Sequence, residues 1–473
     1  MKPQILKTLF LASACIASSA FGASIDQVIV RQQWPWSTDI VVEYMLSGVT
    51  SPVDIEVEAY SGDVKLNSDV LRNAITGDRY ALTKNGPGEF TIDPVKVFGT
   101  ANVVLPNFRV KLTVSDSPAN ADEVLYKIFD LKDGSCTDVT RTELLNGKYG
   151  SIVTDFGNIG EGYNTSLEDV LIWTGVTNNI EYRTSKLVMR KIPAKNVETK
   201  IGSYECQSLT NVNNALRTVS FTNDYYMGVF ELTYGQALSL YTNTPGSTVW
   251  NTKITMRFTN TVDQYERPMN MSDTFSRNMV SRWPGDASFK KGPFSNNNST
   301  VVGNVRKQTG ILGFDLPTEA VWEYACRAGT TNDFNSGLNF TTESDIALLG
   351  RTSLESQTGS PSPADSIYYL TSAEGGSAIV GSYRPNAWGL YDMHGNIMEM
   401  CLDRYVDDVT GFTGDDPWGP ELPEGADKDF YRVGRGGAFY LTGKACYSSG
   451  RTNMYGNNSN TSYIGIRLCL TIY

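Results

Sequence analysis

Between Val28 and Ala59 apolar and polar residues alternate with a period of two: Val28 and Val30, then Ile40, Val42, Tyr44 and Leu46, then Ile55, Val57 and Ala59. Alternation of this kind puts one face of each segment toward a core and the other toward water, which predicts β-strands. Further strands are predicted at 98–105, 108–114 and 124–130, where Val, Phe, Leu and Tyr cluster between Gly, Pro, Asn and Asp. No long helical period precedes residue 130, so an all-β sandwich domain is expected over 24–130. Residues 131–185 read as a polar, Gly- and Asn-rich connecting segment, and a second domain, 186–473, opens with the strand-like KLVMRKIPA.

One helix stands out in that second region. Pro317 ends a strand, Thr318 is placed to cap, and Trp322, Ala325 and Cys326 fall at i, i+3 and i+4 on one apolar face, with a stop near Gly329.

Length and composition sharpen this picture. At 473 residues the chain exceeds the size at which a single core stops growing, so two domains are expected. A net charge of −11 argues against nucleic acid as a partner, because an acidic chain repels phosphates. Lys2 and Lys7 precede an apolar run, Thr8 to Ile16, followed by Ala20-Phe21-Gly22. That is the layout of a signal peptide over 1–22, and it implies a secreted, periplasmic or cell-surface protein. No other window approaches the ~18 apolar residues of a transmembrane segment.

Six cysteines lie beyond that leader: Cys136, Cys206, Cys326, Cys401, Cys446 and Cys469. An even number in an exported chain makes all six disulfide candidates. His394 is the only histidine, which excludes a multi-histidine iron or zinc site. Trp34 and Trp36, in RQQWPW, read as packing residues of the sandwich.

Six stretches of the second region carry a pattern in a fixed order: DYYMGVFELTYGQAL (224–238), RPMNMS (267–272), FDLPTEAVWEYACRAGT (314–330), WGLYDMHGNIMEMCLDRY (388–405), RVGRGGAFY (432–440) and YIGIRLCL (463–470). Together they resemble the formylglycine-generating enzyme, or sulfatase-modifying factor, family. The resemblance covers about 186–473 and implies an α+β, C-type-lectin-like fold placed C-terminal to the sandwich.

In that family two cysteines hold copper(I) and oxidise a substrate cysteine, and soft thiolates are the ligands such an ion requires. Counting forward from Gly437 puts Leu441 at the first cysteine position and Cys446 at the second. Counting back from Arg451 moves Cys446 out of the pair. Either way one thiol stands where two are needed, so the catalytic set is degenerate and copper is not expected. An oxidoreductase with altered chemistry at Cys446 is the alternative. The resemblance also implies a disulfide from Cys446 to Cys326, with Cys469 as the other partner to consider.

It further implies a structural Ca²⁺ site from Asp392, Gly395, Ile397 and Glu399, a hard-oxygen set suited to that ion. A second calcium site of the family looks degraded, with Leu348 where an Asn is usual. His394 reads as a hydrogen-bonded structural residue rather than a base. The stretch YSSGRTNMYGNNSNTSY is rich in side chains suited to adaptable contacts. Tyr447, Arg451, Asn453, Tyr455 and Tyr463 are accordingly the ligand-surface candidates, for a carbohydrate or a protein.

Overall fold

The computed structural model describes residues 11–12, 22–32, 37–99, 108–154, 170–203, 214–242, 263–270, 301–353, 376–419, 431–455 and 463–471. Of the leader expected over 1–22, all residues but 11, 12 and 22 lie outside them, as do Trp34, Trp36 and Cys206. The chain divides into two compact units, one from 1–125, 139–154 and 173–176, the other from 126–138, 155–172 and 177–473.

In the first unit Ser24–Gln32, Ile40–Ser47 and Gly86–Ile92 form an antiparallel sheet with short edge strands Leu11–Ala12 and Ile75–Thr76. Val53–Ser61 pairs with Phe108–Asp116 and with Val64–Lys65 in a second sheet. The two sheets share one core. Ile40, Val42, Tyr44, Leu46, Phe90 and Ile92 enter it from one side, and Val53, Ile55, Ala59, Val110 and Leu112 from the other. The alternation in the sequence is the cause, since period two sends every second side chain inward.

Of the strand expected at 98–105 only Phe98 and Gly99 are among the described residues, and they end a helix instead. Pro94–Phe98 is a short helix, capped by Asp93, whose side chain accepts from the Val95 N–H, and closed by Gly99 at φ 72°. Pro at the first turn and Gly beyond the last favour a helix over a strand here.

The second unit is mixed α and β, mostly sheet with few helices. Its largest sheet runs in the order Cys136–Thr140, Val124–Asp130, Lys186–Ile192, Tyr225–Gly228, Cys469–Thr471, Phe314–Asp315. The strand Val124–Asp130, read from the sequence as the end of the sandwich, instead pairs with Lys186–Ile192. Leu125, Tyr126, Ile128 and Phe129 are all buried, so both of its faces need cover. A four-stranded sheet, Thr452–Tyr455, Tyr431–Arg435, Met398–Arg404, Ile464–Gly465, takes strands from three of the motif stretches. Among the described residues no helix is long and apolar enough to cross a membrane.

The helix Glu319–Arg327 starts where the sequence predicts. The Thr318 hydroxyl accepts from the Val321 N–H at 3.3 Å, and the chain leaves the helix through left-handed Ala328 and Gly329. Trp322, Ala325 and Cys326 are buried, and so are Glu319, Glu323 and Arg327. The polar side of the helix is therefore inside as well.

Candidate functional site

The loop 392–399 winds through three left-handed residues, Asp392, Gly395 and Asn396, before entering the strand Met398–Arg404. Asp and Asn tolerate this conformation better than other side chains, and Gly395 has no Cβ to obstruct it. The winding brings the loop's carboxylates to a buried guanidinium. Arg467 reaches both oxygens of Glu399, at 2.6 to 3.0 Å, and donates to the carbonyls of Gly228, Val229 and Tyr391. Trp322 Nε1 donates to Glu399 Oε2 at 2.6 Å.

Asp392 accepts from the Gly381 N–H through Oδ2 at 2.6 Å, while its Oδ1 is buried without a partner. A third acid, Glu231, sits under the loop. It accepts from the Ile397 N–H at 3.1 Å and from Asn396 Nδ2 at 2.6 Å. Burial pushes the Asp392 carboxyl up to about 6. Burial, then the charges of Asp392 and Glu399, raise Glu231 well above the usual carboxylate range.

Three carboxyl groups face one guanidinium, so the site carries surplus negative charge that only protons or a cation can neutralise. Glu231 was not among the sequence-predicted site residues. Its signal was present in VFELT, a lone acid inside an otherwise apolar run. The orphaned Asp392 Oδ1 fits a cation, whereas the Glu399 oxygens are already engaged. Among the described residues no three His, Cys, Asp or Glu side chains converge as a metal cage.

Within this loop His394 is fully buried. Its Nδ1 donates to the Cys446 carbonyl at 2.7 Å and its Nε2 accepts from the Asn335 N–H at 3.1 Å, which fixes the neutral tautomer. Burial holds it down at about 4, so it is a structural imidazole with both nitrogens occupied.

The cysteines depart from expectation. The five described ones, Cys136, Cys326, Cys401, Cys446 and Cys469, are free, so neither the Cys326–Cys446 nor the Cys446–Cys469 bridge is formed. Each sulfur has other company. Cys446 points its thiol at the Thr442 carbonyl, Cys326 lies against Met393 O and the His394 ring, and Cys469 sits in a central strand between Met227 and Asp315. Burial pushes the thiols of Cys326 and Cys446 up to about 12. The family's glycine pair survives for a steric reason: Gly436 and Gly437 are both left-handed, and a Cβ on Gly437 would run into the Cys446 sulfur. Leu441 packs, half-buried, against the main core.

Two of the surface candidates are interior. Tyr447 is 2% exposed, with its ring 5.6 and 6.0 Å from those of Phe334 and Phe340. Arg451 is 3% exposed and pairs with Glu319 at 3.0 Å. It belongs to a charge lattice on the helix Glu319–Arg327, in which Arg435 bonds Glu319 at 2.6 Å and Glu323 at 2.8 Å, and Arg327 bonds Glu323 at 2.9 Å. Burial pushes Glu323 up, but Arg435 and Arg327 outweigh it and hold the carboxyl down at about 2. Asn453 is exposed, Tyr463 is half-buried with its ring 4.6 Å from Tyr440, and the Tyr455 side chain lies outside the described residues.

An α+β unit whose buried arginines knit a Gly-Gly turn, a Gly-x-Arg strand and a carboxylate loop into one core defines a recognisable class. Residues 189–472 match the family described as sulfatase-modifying factor enzyme 1-like domain, and the chain belongs to that family. It is 31% identical over 157 residues to the formylglycine-generating enzyme of Streptomyces coelicolor, covering 32% of this chain and 42% of that protein. The corresponding enzyme of Thermomonospora curvata is also 31% identical, over 28% of this chain and 41% of its own length. A 128-residue stretch is 33% identical to the serine/threonine-protein kinase pkn1 of Chlamydia pneumoniae, 27% of this chain and 16% of that one. The chain thus spans less than half the length of the curated relatives it matches. Among solved structures, Treponema denticola variable protein 1 aligns at 24% identity over 60% of this chain and 95% of its own, with a TM-score of 0.39. PvdO from Pseudomonas aeruginosa aligns at 18% over 60% and 94%, also at 0.39.

Proposed function

We propose that this chain is an exported, catalytically degenerate member of its family that acts as a ligand-binding or surface protein. The observation that carries the reading is the state of the thiol site. Counted forward from Gly437, Leu441 stands at the first cysteine position, and Cys446 is a buried thiol whose burial opposes ionisation. Copper(I) ligation and disulfide exchange both need a thiolate that can be reached, and a leucine supplies neither. The half-buried pair Tyr440 and Tyr463, beside Leu441, offers a contact surface for a carbohydrate or protein where the family places its chemistry.

Ca²⁺ is proposed as a structural ion of the loop 392–399, held by Asp392 and the carbonyls of Gly395 and Ile397, with Glu399 kept by Arg467 and Trp322 unless it changes partners to join the ion. The buried, unpartnered Asp392 Oδ1 supports this, and the ion would neutralise the surplus charge there.

The test is mass spectrometry of a cysteine-containing sulfatase peptide incubated with the purified protein, oxygen and copper(I), beside an active family member. An unchanged peptide is expected. Conversion of its cysteine to formylglycine would sink the reading and favour altered chemistry at Cys446.

A further inference from the structure

We propose that the first unit carries its own binding groove for a neutral oligosaccharide, between the segment 77–89 and the helix Arg141–Leu145. The groove encloses about 780 Å³, within the range of small-ligand sites, and its lining includes Tyr80, Asp78, Lys84 and Glu89.

Its wall is built rigidly. Asn146 Oδ1 accepts from the N–H groups of Arg79 and Tyr80, at 2.7 and 3.1 Å, and Asp54 Oδ1 accepts from the Ala81 N–H at 2.8 Å. Val53 and Leu82 exchange a pair of backbone bonds, and Tyr44 donates to the Asp78 carbonyl at 3.1 Å. Within this wall Ala81 holds φ 54°, a left-handed conformation that an alanine adopts only under strain. A surface loop needs neither the pinning nor the strain. Both are the marks of a surface shaped in advance of its ligand.

The side chains that face outward are, by contrast, uncommitted. Asp78, Lys84 and Glu89 are exposed, and none makes a side-chain hydrogen bond or ion pair among the described residues. Two carboxylates and one ammonium over a rigid polar floor suit hydroxyl groups, which both donate and accept. The charge balance disfavours phosphate, sulfate or carboxylate ligands.

Strand addition is also disfavoured. The Asp93 N–H bonds to Ala74, so by the period of the strand Thr91, Glu89 and Pro87 turn their main chain the same way, toward the groove. Pro87 has no N–H to give, and it blunts that edge against an incoming peptide.

The experiment is calorimetric titration of the intact protein with maltotriose, cellotriose and tri-N-acetylchitotriose, with spermidine as a cationic control. At least one trisaccharide is expected to bind saturably with Kd on the order of 1 mM or tighter, and Glu89→Ala and Asp78→Ala are each expected to weaken it at least about 10-fold. Both side chains are exposed, and an unchanged circular dichroism spectrum confirms that the variants fold. Binding of no trisaccharide, or of spermidine alone, overturns the proposal. So does trisaccharide binding that falls with Tyr463→Ala but survives Glu89→Ala, because that ligand then belongs to the second unit.

Discussion

Two buried charge clusters in the second unit are built from the same residue types and differ in balance. On the helix Glu319–Arg327, two glutamates are ringed by Arg217, Arg327, Arg435 and Arg451. Under the loop 392–399, Glu231, Asp392 and Glu399 share Arg467. Much of the surplus guanidinium is absorbed by main chain, since Arg435 and Arg327 also donate to carbonyls of Ser448, Gly450, Asn332 and Gly202, although the Nε atoms of Arg217 and Arg435 are buried without a hydrogen-bond partner. Surplus carboxylate is not absorbed in this way, because it needs donors and one Asp392 oxygen finds none. The first cluster holds the fold together, and the second stores a charge demand that a cation or protons can meet.

The comparison breaks most visibly at the arginines. Arg435→Met leaves Glu319 and Glu323 buried without their main partner, and the urea midpoint should report a loss of about 3–5 kcal/mol or failure to fold. Removing an acid from the other cluster should do the reverse. In EDTA at neutral pH, Asp392→Asn is expected to stabilise by about 1 kcal/mol, since it relieves an unbalanced charge. Adding calcium should raise the melting temperature of the parent and leave the variant unmoved. No calcium effect on the parent removes the ion from the account.

The clusters should also titrate in opposite senses. Asp392 is raised in the fold, so its contribution is fully present below its unfolded pKa of about 3.9 and is lost as pH rises through about 6. Glu323 is depressed, so its contribution is present above an unfolded pKa of about 4.3 and is lost as pH falls through about 2. Urea midpoints should therefore decline from pH 4 to pH 7 in EDTA and collapse near pH 2, and Asp392→Asn should make the upper limb shallower without removing it, because burial pushes Asp403 up to about 6 as well. The smallest effect is expected at the surface: Asn453→Ala should stay within about 0.5 kcal/mol of the parent by the same assay.

What was legible in the sequence followed from period and punctuation. The alternation from Val28 to Ala59 gave strands whose inward residues meet in one core, and Thr318 marked a helix start that its hydroxyl indeed caps. The fates of Tyr447 and Arg451 were hidden because a Tyr-, Asn- and Ser-rich stretch reads as surface whether or not its large side chains fold inward. Arg451 goes inside because Glu319, 132 residues earlier in the chain, the Val406 carbonyl and the Tyr405 ring receive it there. Glu231 was concealed for the same reason: a lone acid in an apolar run declares a buried charge but does not name its partners. The cysteines misled through their even number, which permits bridges without requiring them.

Those thiols carry a consequence for how the protein is made. Cys326, Cys401, Cys446 and Cys469 are closed off by packing alone. Among the described residues the second unit's core holds no bridge, so production in a reducing cytoplasm is expected to give folded protein, which a cooperative urea transition would check. In the folded chain only Cys136, which is exposed, should take up a thiol-alkylating reagent among these five, with the others following only on unfolding.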